Sequence, residues 1–241
     1  MVAKNEIKRI RSLHQKKYRS RLGLFLAEGT KLVTELLNSP LEACGLYASE
    51  EGILEEAVLV TEAELRKMSA LSQPSKVLGV FRIPLQASPV WQGWTLALDG
   101  VRDPGNLGTL IRLADWFGVR QVLCSPDTVD CFNPKVLQAT MGSIGRVPVI
   151  YVPLEETLRH SGLPAFGASM EGESVGGVTL PQDGILVLGS ESHGLSDTVR
   201  EELAQTVAIP SYGQAESLNV ATAGAILLYE LRRGTPGLTQ K

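Results

Sequence analysis

Three polar loops that contain glycine carry most of the side chains that could do chemistry in this chain. The first covers residues 98–108 (LDGVRDPGNLG), the second residues 189–196 (GSESHGLS) and the third residues 209–220 (IPSYGQAESLNV). The first two follow short apolar runs, which predicts strand-to-helix turns, and the third leads into an almost wholly apolar helix. In an open α/β sheet, ligands bind beyond the carboxyl ends of the strands. We therefore expect the three loops to share one ligand site.

The third loop has two interpretations. Backbone N–H groups at the start of a helix have no partner within it, and together with Ser217 and Asn219 they would suit an anionic or carbonyl-rich ligand. The alternative is a plain helix cap, with Ser217 at the N-cap and Leu218 beginning the helix. The two other loops favour the ligand site, because their glycines allow the backbone to approach a ligand closely.

Segments of these loops resemble the three ordered motifs of the SpoU (TrmH-type) branch of the SPOUT RNA methyltransferases. The matching segments are residues 106–112 (NLGTLIR), 188–195 (LGSESHGL), and 209–210 with 216–220 (IP and ESLNV). Residues 139–148 (ATMGSIGRVP) also resemble the segment that this family carries between its first two motifs. The resemblance spans roughly residues 94–233.

The resemblance implies methylation of a ribose 2′-hydroxyl in RNA, with S-adenosylmethionine as the methyl donor. It also implies an obligate homodimer whose C-terminal segment is tucked through a loop as a trefoil knot. Gly189, Ile209 and Leu218 would hold the donor through main-chain groups, assisted by Ser217 and Asn219. The residues that would build the reaction centre are Asn106, Arg112, Glu191, Ser217 and Asn219.

Arg112 is the candidate for stabilising charge during methyl transfer. Moving a methyl group from a sulfonium to an oxygen builds negative charge on that oxygen, which a fixed cation stabilises. Mechanisms proposed for the family make this arginine a general base, yet a guanidinium keeps its proton far above neutral pH. We therefore rank an electrostatic clamp first and a general base second as the role of Arg112. Glu191 could orient it or a backbone amide, whereas the resemblance does not require the neighbouring His193.

Basic residues are concentrated at the start of the chain, although the net charge of the whole protein is −3. Residues 1–31 hold nine Lys or Arg against two Glu, a net charge of +7, and the remainder carries −10. This asymmetry predicts a local phosphate-binding surface, in which Lys16, Lys17, Arg19 and Arg21 contact RNA. The alternative is the solvated face of a helix, since residues 7, 10 and 13 are apolar at helical spacing.

The first part of the chain is predicted to be a small domain over residues 1–86. The expected elements are helices at 4–18, 30–38, 50–56 and 62–70 and strands at 23–27, 43–48, 58–60 and 77–83. This part is similar to the RNA substrate-binding domain that many SpoU enzymes carry, which has a ribosomal-protein-like α/β fold. The linker expected at the end of this part contains Pro84 and Pro89 and ends near Trp91.

The catalytic part is predicted to cover residues 92–241 as a mainly parallel α/β sheet covered on both faces. Strands are expected at 94–98 and 120–124 and near 148, 166, 187 and 207, with a helix at 108–117. A further helix should begin at Pro134 with Asn133 as its cap. The final helix, 217–233, is too apolar for one buried stripe, so a dimer interface would supply its second cover.

Several classes of protein are excluded or disfavoured. The chain has no apolar run long enough to span a membrane and no signal-peptide pattern, so we expect a cytoplasmic protein. Cys44, Cys124 and Cys131 are too scattered for a zinc cluster or a disulfide framework, and no metal is expected. The first loop lacks the spacing of a dinucleotide fingerprint, and no P-loop lysine is present.

The RNA itself is less closely defined by the sequence. An N-terminal domain of this kind is commoner in ribosomal RNA enzymes of the family, so rRNA is favoured over tRNA as the substrate. A tRNA 2′-O-methyltransferase and a non-catalytic RNA-binding or ribosome assembly factor are the alternatives. Because all five residues of the implied reaction centre are present, the catalytic interpretation is preferred.

Overall fold

The computed structural model describes residues 2–233, and the described residues form two compact units. The first unit contains the described part of Met1–Ala87, together with Asp103–Arg112 and Val129–Arg146. The second contains Ser88–Arg102, Leu113–Thr128 and the described part of Val147–Lys241. Each unit has its own sheet.

The first unit has a four-stranded sheet flanked by short helices. Its elements are α1 Lys4–Ser12, α2 Lys16–Leu22, β1 Leu24–Glu28, α3 Thr30–Leu37, β2 Ala43–Ala48, β3 Val58–Leu59, α4 Glu62–Met68 and β4 Val77–Arg82. The strand order is β1-β4-β2-β3, in which β4 is antiparallel to both neighbours and β3 is parallel to β2. One face of this sheet buries Leu26, Leu78 and Val80 against Ile10 of α1 and Met68 of α4.

Two helix predictions for this unit are wrong. The helix expected at 4–18 is two helices, separated by a turn around residues 13–15. The helix expected at 50–56 is a run of turns and bends. Gly52 (φ +77°) and Glu56 (φ +60°) adopt left-handed backbone conformations, which a right-handed helix cannot accommodate.

The second unit has a six-stranded sheet in which every pairing is parallel. Its strands are β5 Trp94–Asp99, β6 Gln121–Cys124, β7 Val149–Tyr151, β8 Ala165–Ser174, β9 Gly184–Gly189 and β10 Gln205–Ala208. The order is β10-β8-β9-β5-β6-β7, which confirms the predicted parallel α/β sheet. All six residues of β5 are buried, as expected for a strand inside such a sheet.

Five further α-helices lie in the described part of the chain. They are α5 Pro104–Trp116, α6 Pro134–Thr140, α7 Leu154–His160, α8 Asp197–Arg200 and α9 Val220–Arg232. Asn133 caps α6 by accepting a hydrogen bond from the Lys135 amide (2.9 Å), and Pro134 follows it, as predicted. Helices α7 and α8 had no counterpart in the sequence prediction. In the described part of the chain, no helix is long and apolar enough to cross a membrane.

Candidate functional site

A cavity of about 880 Å³ lies within the second unit, at the carboxyl ends of β9 and β10. Its wall is formed by parts of the second and third polar loops, by the middle of β8 and by the start of α9. Six of the sequence-predicted site residues line it, namely Gly189, Glu191, Ile209, Ser217, Leu218 and Asn219. The structure therefore brings two of the three motif segments to one cavity.

The second polar loop is a tight turn held by its own backbone. The Ser190 amide donates to the Gly194 carbonyl (2.9 Å), and the Gly194 amide donates to the Ser190 carbonyl (3.0 Å). The His193 amide also donates to Ser190 Oγ (3.1 Å). As a result, Glu191 and His193 both protrude into solvent, but only Glu191 lines the cavity. His193 instead contacts Ser192 Oγ through Nδ1 at 2.7 Å.

Gly189 is required at the entrance to this turn. A Cβ atom built on Gly189 would lie well within 3.0 Å of the carbonyl carbon of Gly194 and of the Leu195 amide nitrogen. Real Cβ atoms do not approach backbone this closely, so any other residue would force the turn away from β9. The bare backbone of Gly189 consequently forms part of the cavity wall.

The third polar loop is exposed along most of its length and ends at the first turn of α9. Asn219, not Ser217, is the N-cap, because its Oδ1 accepts hydrogen bonds from the amides of Ala221 (2.9 Å) and Thr222 (3.3 Å). The helix therefore begins at Val220, and the predicted start at residue 217 is wrong. Ser217 and Leu218 remain outside the helix, where they line the cavity.

Asn106, at the end of the first polar loop, and Arg112 both lie on α5. Asp103 caps the start of this helix, since its Oδ1 accepts from the Asn106 amide (2.8 Å) and its carbonyl accepts from the Leu107 amide (3.1 Å). Arg112 is exposed and makes no hydrogen bond or ion pair with another described residue. Asn106 and Arg112 belong to the first compact unit and are not among the residues that line the cavity.

The start of the first loop is fixed to the second loop within the second unit. Buried Asp99, at the end of β5, accepts a hydrogen bond through Oδ2 from the Ser196 amide at 2.7 Å. Ser125 Oγ donates to Asp127 (2.7 Å), and this bond lowers the pKa of Asp127 below its usual value, as does the ion pair with Arg102 (3.1 Å). The ends of β5, β6 and β9 thus form one connected edge, as the sequence predicts.

The four basic residues predicted to contact RNA differ in accessibility. Lys16, Lys17 and Arg21 are exposed, whereas Arg19 is only 2% exposed. Its Nη1 donates to the carbonyls of Leu13 (2.8 Å) and His14 (3.0 Å), and its Nε donates to Asp130 Oδ2 (3.0 Å). Arg19 is therefore a structural residue of the first unit, and its burial argues against the predicted phosphate contact.

Sequence reasoning missed two contributors to the cavity. Residues 168–171 of β8 line it, although the sequence predicted only a strand near residue 166. Arg200, at the end of α8, also lines it, and its Nε donates to the Leu195 carbonyl at 3.1 Å. The only sequence signal for Arg200 was its proximity to the second loop. No cluster of three or more His, Cys, Asp or Glu side chains suited to a metal ion occurs within residues 2–233.

Comparison with known proteins assigns both parts of the chain. The model of the SpoU rRNA Methylase family matches residues 93–229, and the model of an MRM3-like substrate binding domain matches residues 4–79. The chain is 33% identical to the 23S rRNA (guanosine(2553)-2′-O)-methyltransferase RlmP of Bacillus subtilis, over 95% of this chain and 97% of that protein.

Solved structures agree with this assignment. A protein from Porphyromonas gingivalis that is assigned to the TrmH family of RNA methyltransferases superposes with a TM-score of 0.90 at 39% identity, covering 97% of this chain and 99% of that one. An AdoMet-bound rRNA methyltransferase from Sinorhizobium meliloti superposes with a TM-score of 0.87 at 30% identity, covering 98% and 97% of the two chains. The chain belongs to the SpoU rRNA methylase family.

Proposed function

We propose that the protein transfers a methyl group from S-adenosylmethionine to a ribose 2′-hydroxyl of ribosomal RNA. The observation that carries this proposal is that Gly189, Glu191, Ile209, Ser217 and Leu218, from two motif segments of a methyltransferase family, line one shared cavity. The relatives support the choice of RNA, because RlmP is named as a 23S rRNA 2′-O-methyltransferase.

The chemistry of the cavity fits the donor. Its volume of about 880 Å³ lies in the range of small-molecule sites. Leu188, Val207 and Leu227 are apolar residues of the wall, and Gly189, Ile209 and Leu218, whose main-chain groups can form hydrogen bonds, also line the cavity. We propose that these main-chain groups, with Ser217 and Asn219, hold S-adenosylmethionine. When bound, the donor supplies a methyl group activated by its positively charged sulfur.

We propose that Arg112, Asn106 and Glu191 contribute to the reaction centre with Ser217 and Asn219. The Arg112 guanidinium is exposed and unpaired within the described part of the chain, so it is available to an RNA oxygen. It stabilises the negative charge that develops on the 2′-oxygen, and it keeps its own proton while doing so. Glu191 acts in this proposal from the second loop, where it lines the cavity.

We propose that residues 1–86 form the RNA substrate-binding domain and residues 92–241 the catalytic domain. The match of the MRM3-like model to residues 4–79 and of the SpoU model to residues 93–229 supports this division. Lys16, Lys17 and Arg21 are the RNA contacts in this proposal, since they are exposed in the basic segment. Arg19 instead stabilises the fold of that segment, because it is buried and forms an ion pair with Asp130.

We propose that the protein is a homodimer with a C-terminal trefoil knot, and that it works in the cytoplasm, where its ribosomal RNA substrate is found. Three large apolar side chains of the second unit support the dimer, because they remain exposed in a single chain. Trp116 of α5 is 83% exposed, and Ile226 and Tyr229 of α9 are 37% and 58% exposed. Such exposed apolar surface is typical of a protein interface.

The proposal is tested by incubating purified protein with S-adenosylmethionine labelled on its methyl group and with unmodified ribosomal RNA or tRNA. We expect label to enter ribosomal RNA and to appear in dinucleotides that resist alkaline hydrolysis. A 2′-O-methyl group causes this resistance, because it removes the hydroxyl that attacks the neighbouring phosphate. Label in tRNA alone would favour a tRNA enzyme. Absence of label from both RNAs would favour a non-catalytic RNA-binding or assembly factor.

A further inference from the structure

Few charged side chains line the cavity, and more of them are acidic than basic. Within the described residues, the lining contains two carboxylates, Glu171 and Glu191, and one cationic side chain, Arg200. Arg200 lies outside the family motif segments described above, and it was not predicted from the sequence. Among the described residues that line the cavity, Arg200 is therefore the side chain that can form a charge-assisted pair with an anionic group of a ligand.

The guanidinium of Arg200 is held in place but has donors left over. Its Nε donates to the Leu195 carbonyl (3.1 Å), which ties the plane of the guanidinium to the second loop. Its Nη2 lies 3.6 Å from the position that a Cβ atom would occupy on Gly194. Neither Nη atom makes a hydrogen bond or ion pair with another residue in the described part of the chain. The N–H groups of Nη1 and Nη2 therefore remain available to a ligand, while Nε fixes the position of the guanidinium.

We propose that Arg200 binds the carboxylate of the methionine moiety of S-adenosylmethionine. This inference rests on the proposed function. The carboxylate is the donor's one negatively charged group, since its sulfonium and ammonium are positive and suit the two acids of the cavity. A guanidinium fork matches a carboxylate in two parallel hydrogen bonds, and anchoring through Nε reduces the entropy lost when the ligand binds. Arg200 thereby fixes the methionine end of the donor.

Calorimetric titration with two ligands that differ in one group tests the inference. S-adenosylmethionine and its decarboxylated analogue are titrated into the wild type, Arg200→Gln and Arg200→Lys. We expect Arg200→Gln to weaken binding of S-adenosylmethionine by roughly tenfold to a hundredfold, the usual cost of removing a charge-assisted hydrogen bond, and to leave binding of the decarboxylated analogue nearly unchanged. Arg200→Lys should recover part of this affinity, because it keeps the charge although it lacks the fork.

Arg159→Gln is the matched control, because Arg159 is an exposed arginine of the same unit that pairs with Glu202 (2.6 Å) and does not line the cavity. It should bind both ligands as the wild type does. An equal loss of affinity for both ligands in Arg200→Gln would mean that Arg200 only shapes the second loop, and this would overturn the inference. Unchanged binding of both ligands would overturn it as well. If the wild type itself failed to bind S-adenosylmethionine, the proposed function would be contradicted, and the inference that rests on it with it.

Discussion

Gly189 is the cavity residue whose position leaves no space for a side chain. It ends β9, and its missing side chain lets the turn from Ser190 to Gly194 close directly on the strand. The sequence indicated this position through the loop pattern and the resemblance of the motif. It did not indicate the reason, because the close approach to Gly194 depends on how the turn folds back.

Gly189→Ala should therefore remove donor binding and destabilise the second unit. The added methyl group would collide with the Gly194 backbone, and such overpacking costs about 1–3 kcal/mol. Calorimetry with S-adenosylmethionine and urea unfolding measure the two effects. Gly176→Ala is the control, since a Cβ there has nothing within 4 Å. If Gly189→Ala bound the donor as the wild type does, the backbone at this position would not belong to the site.

Arg112 differs from the cavity residues, because it is proposed to act on the RNA oxygen and not on the donor. Arg112→Ala should lower the rate of methyl transfer by roughly 100- to 1,000-fold, the usual effect of removing a group that stabilises transition-state charge. Donor affinity measured by calorimetry should remain unchanged. Arg120→Ala, at another exposed arginine, serves as the control for charge. A fully active Arg112→Ala variant would show that Arg112 is not needed for methyl transfer.

At the scale of the element, sequence patterns located strands better than helix ends. The apolar runs predicted the bounds of β5 and β6 to within one residue and a position inside each of β9 and β10, because buried parallel strands are continuous apolar segments. They could not give the order β10-β8-β9-β5-β6-β7, since a run of apolar residues does not identify its neighbours. The starts of α2 and α9 depend on specific side-chain contacts that periodicity does not record.

The break between α1 and α2 shows this dependence most clearly. Ile7, Ile10 and Leu13 follow helical spacing, so the pattern predicted one uninterrupted helix. In the structure the chain turns after Leu13, and the carbonyls of Leu13 and His14 are satisfied by Arg19. Arg19 was predicted to bind phosphate because its charge was visible in the sequence, whereas its partner Asp130 is 111 residues away.

Arg19→Ala should destabilise the first unit strongly. The variant leaves Asp130 without its buried partner and two carbonyls without donors, and breaking a buried ion pair costs about 3–5 kcal/mol. Urea unfolding followed by circular dichroism measures the change. Arg21→Ala removes an exposed charge of the same helix and should change stability by less than about 0.5 kcal/mol. Equal stability of the two variants would contradict a structural role for Arg19.

At the scale of the whole molecule, the uneven charge is the feature most directly readable from sequence. The first 31 residues carry +7 in a protein whose net charge is −3. Burial removes Arg19 from this surface, yet Lys16, Lys17 and Arg21 stay exposed. Composition thus predicts a basic surface for RNA, which stays a prediction, and only the folded chain distinguishes buried cations from exposed ones.

Replacing Lys16 and Lys17 together with alanine should weaken RNA binding and flatten its dependence on salt. Removing one phosphate contact lowers the slope of log affinity against log salt by roughly 0.7–0.9. Filter binding to ribosomal RNA fragments over a range of salt concentrations measures both effects. A double variant of Arg120 and Arg159, which are exposed residues of the second unit, carries the same charge change as a control. Identical slopes for the two variants would leave the basic segment as ordinary solvated surface.

The most direct test of the central claim is to map 2′-O-methyl groups in the ribosomal RNA of a strain that lacks this protein. We predict that one ribose loses its methyl group. The wild-type protein should restore it, and Arg112→Ala and Gly189→Ala should not. Ribosomal RNA with an unaltered methylation pattern in the deletion strain would contradict the account.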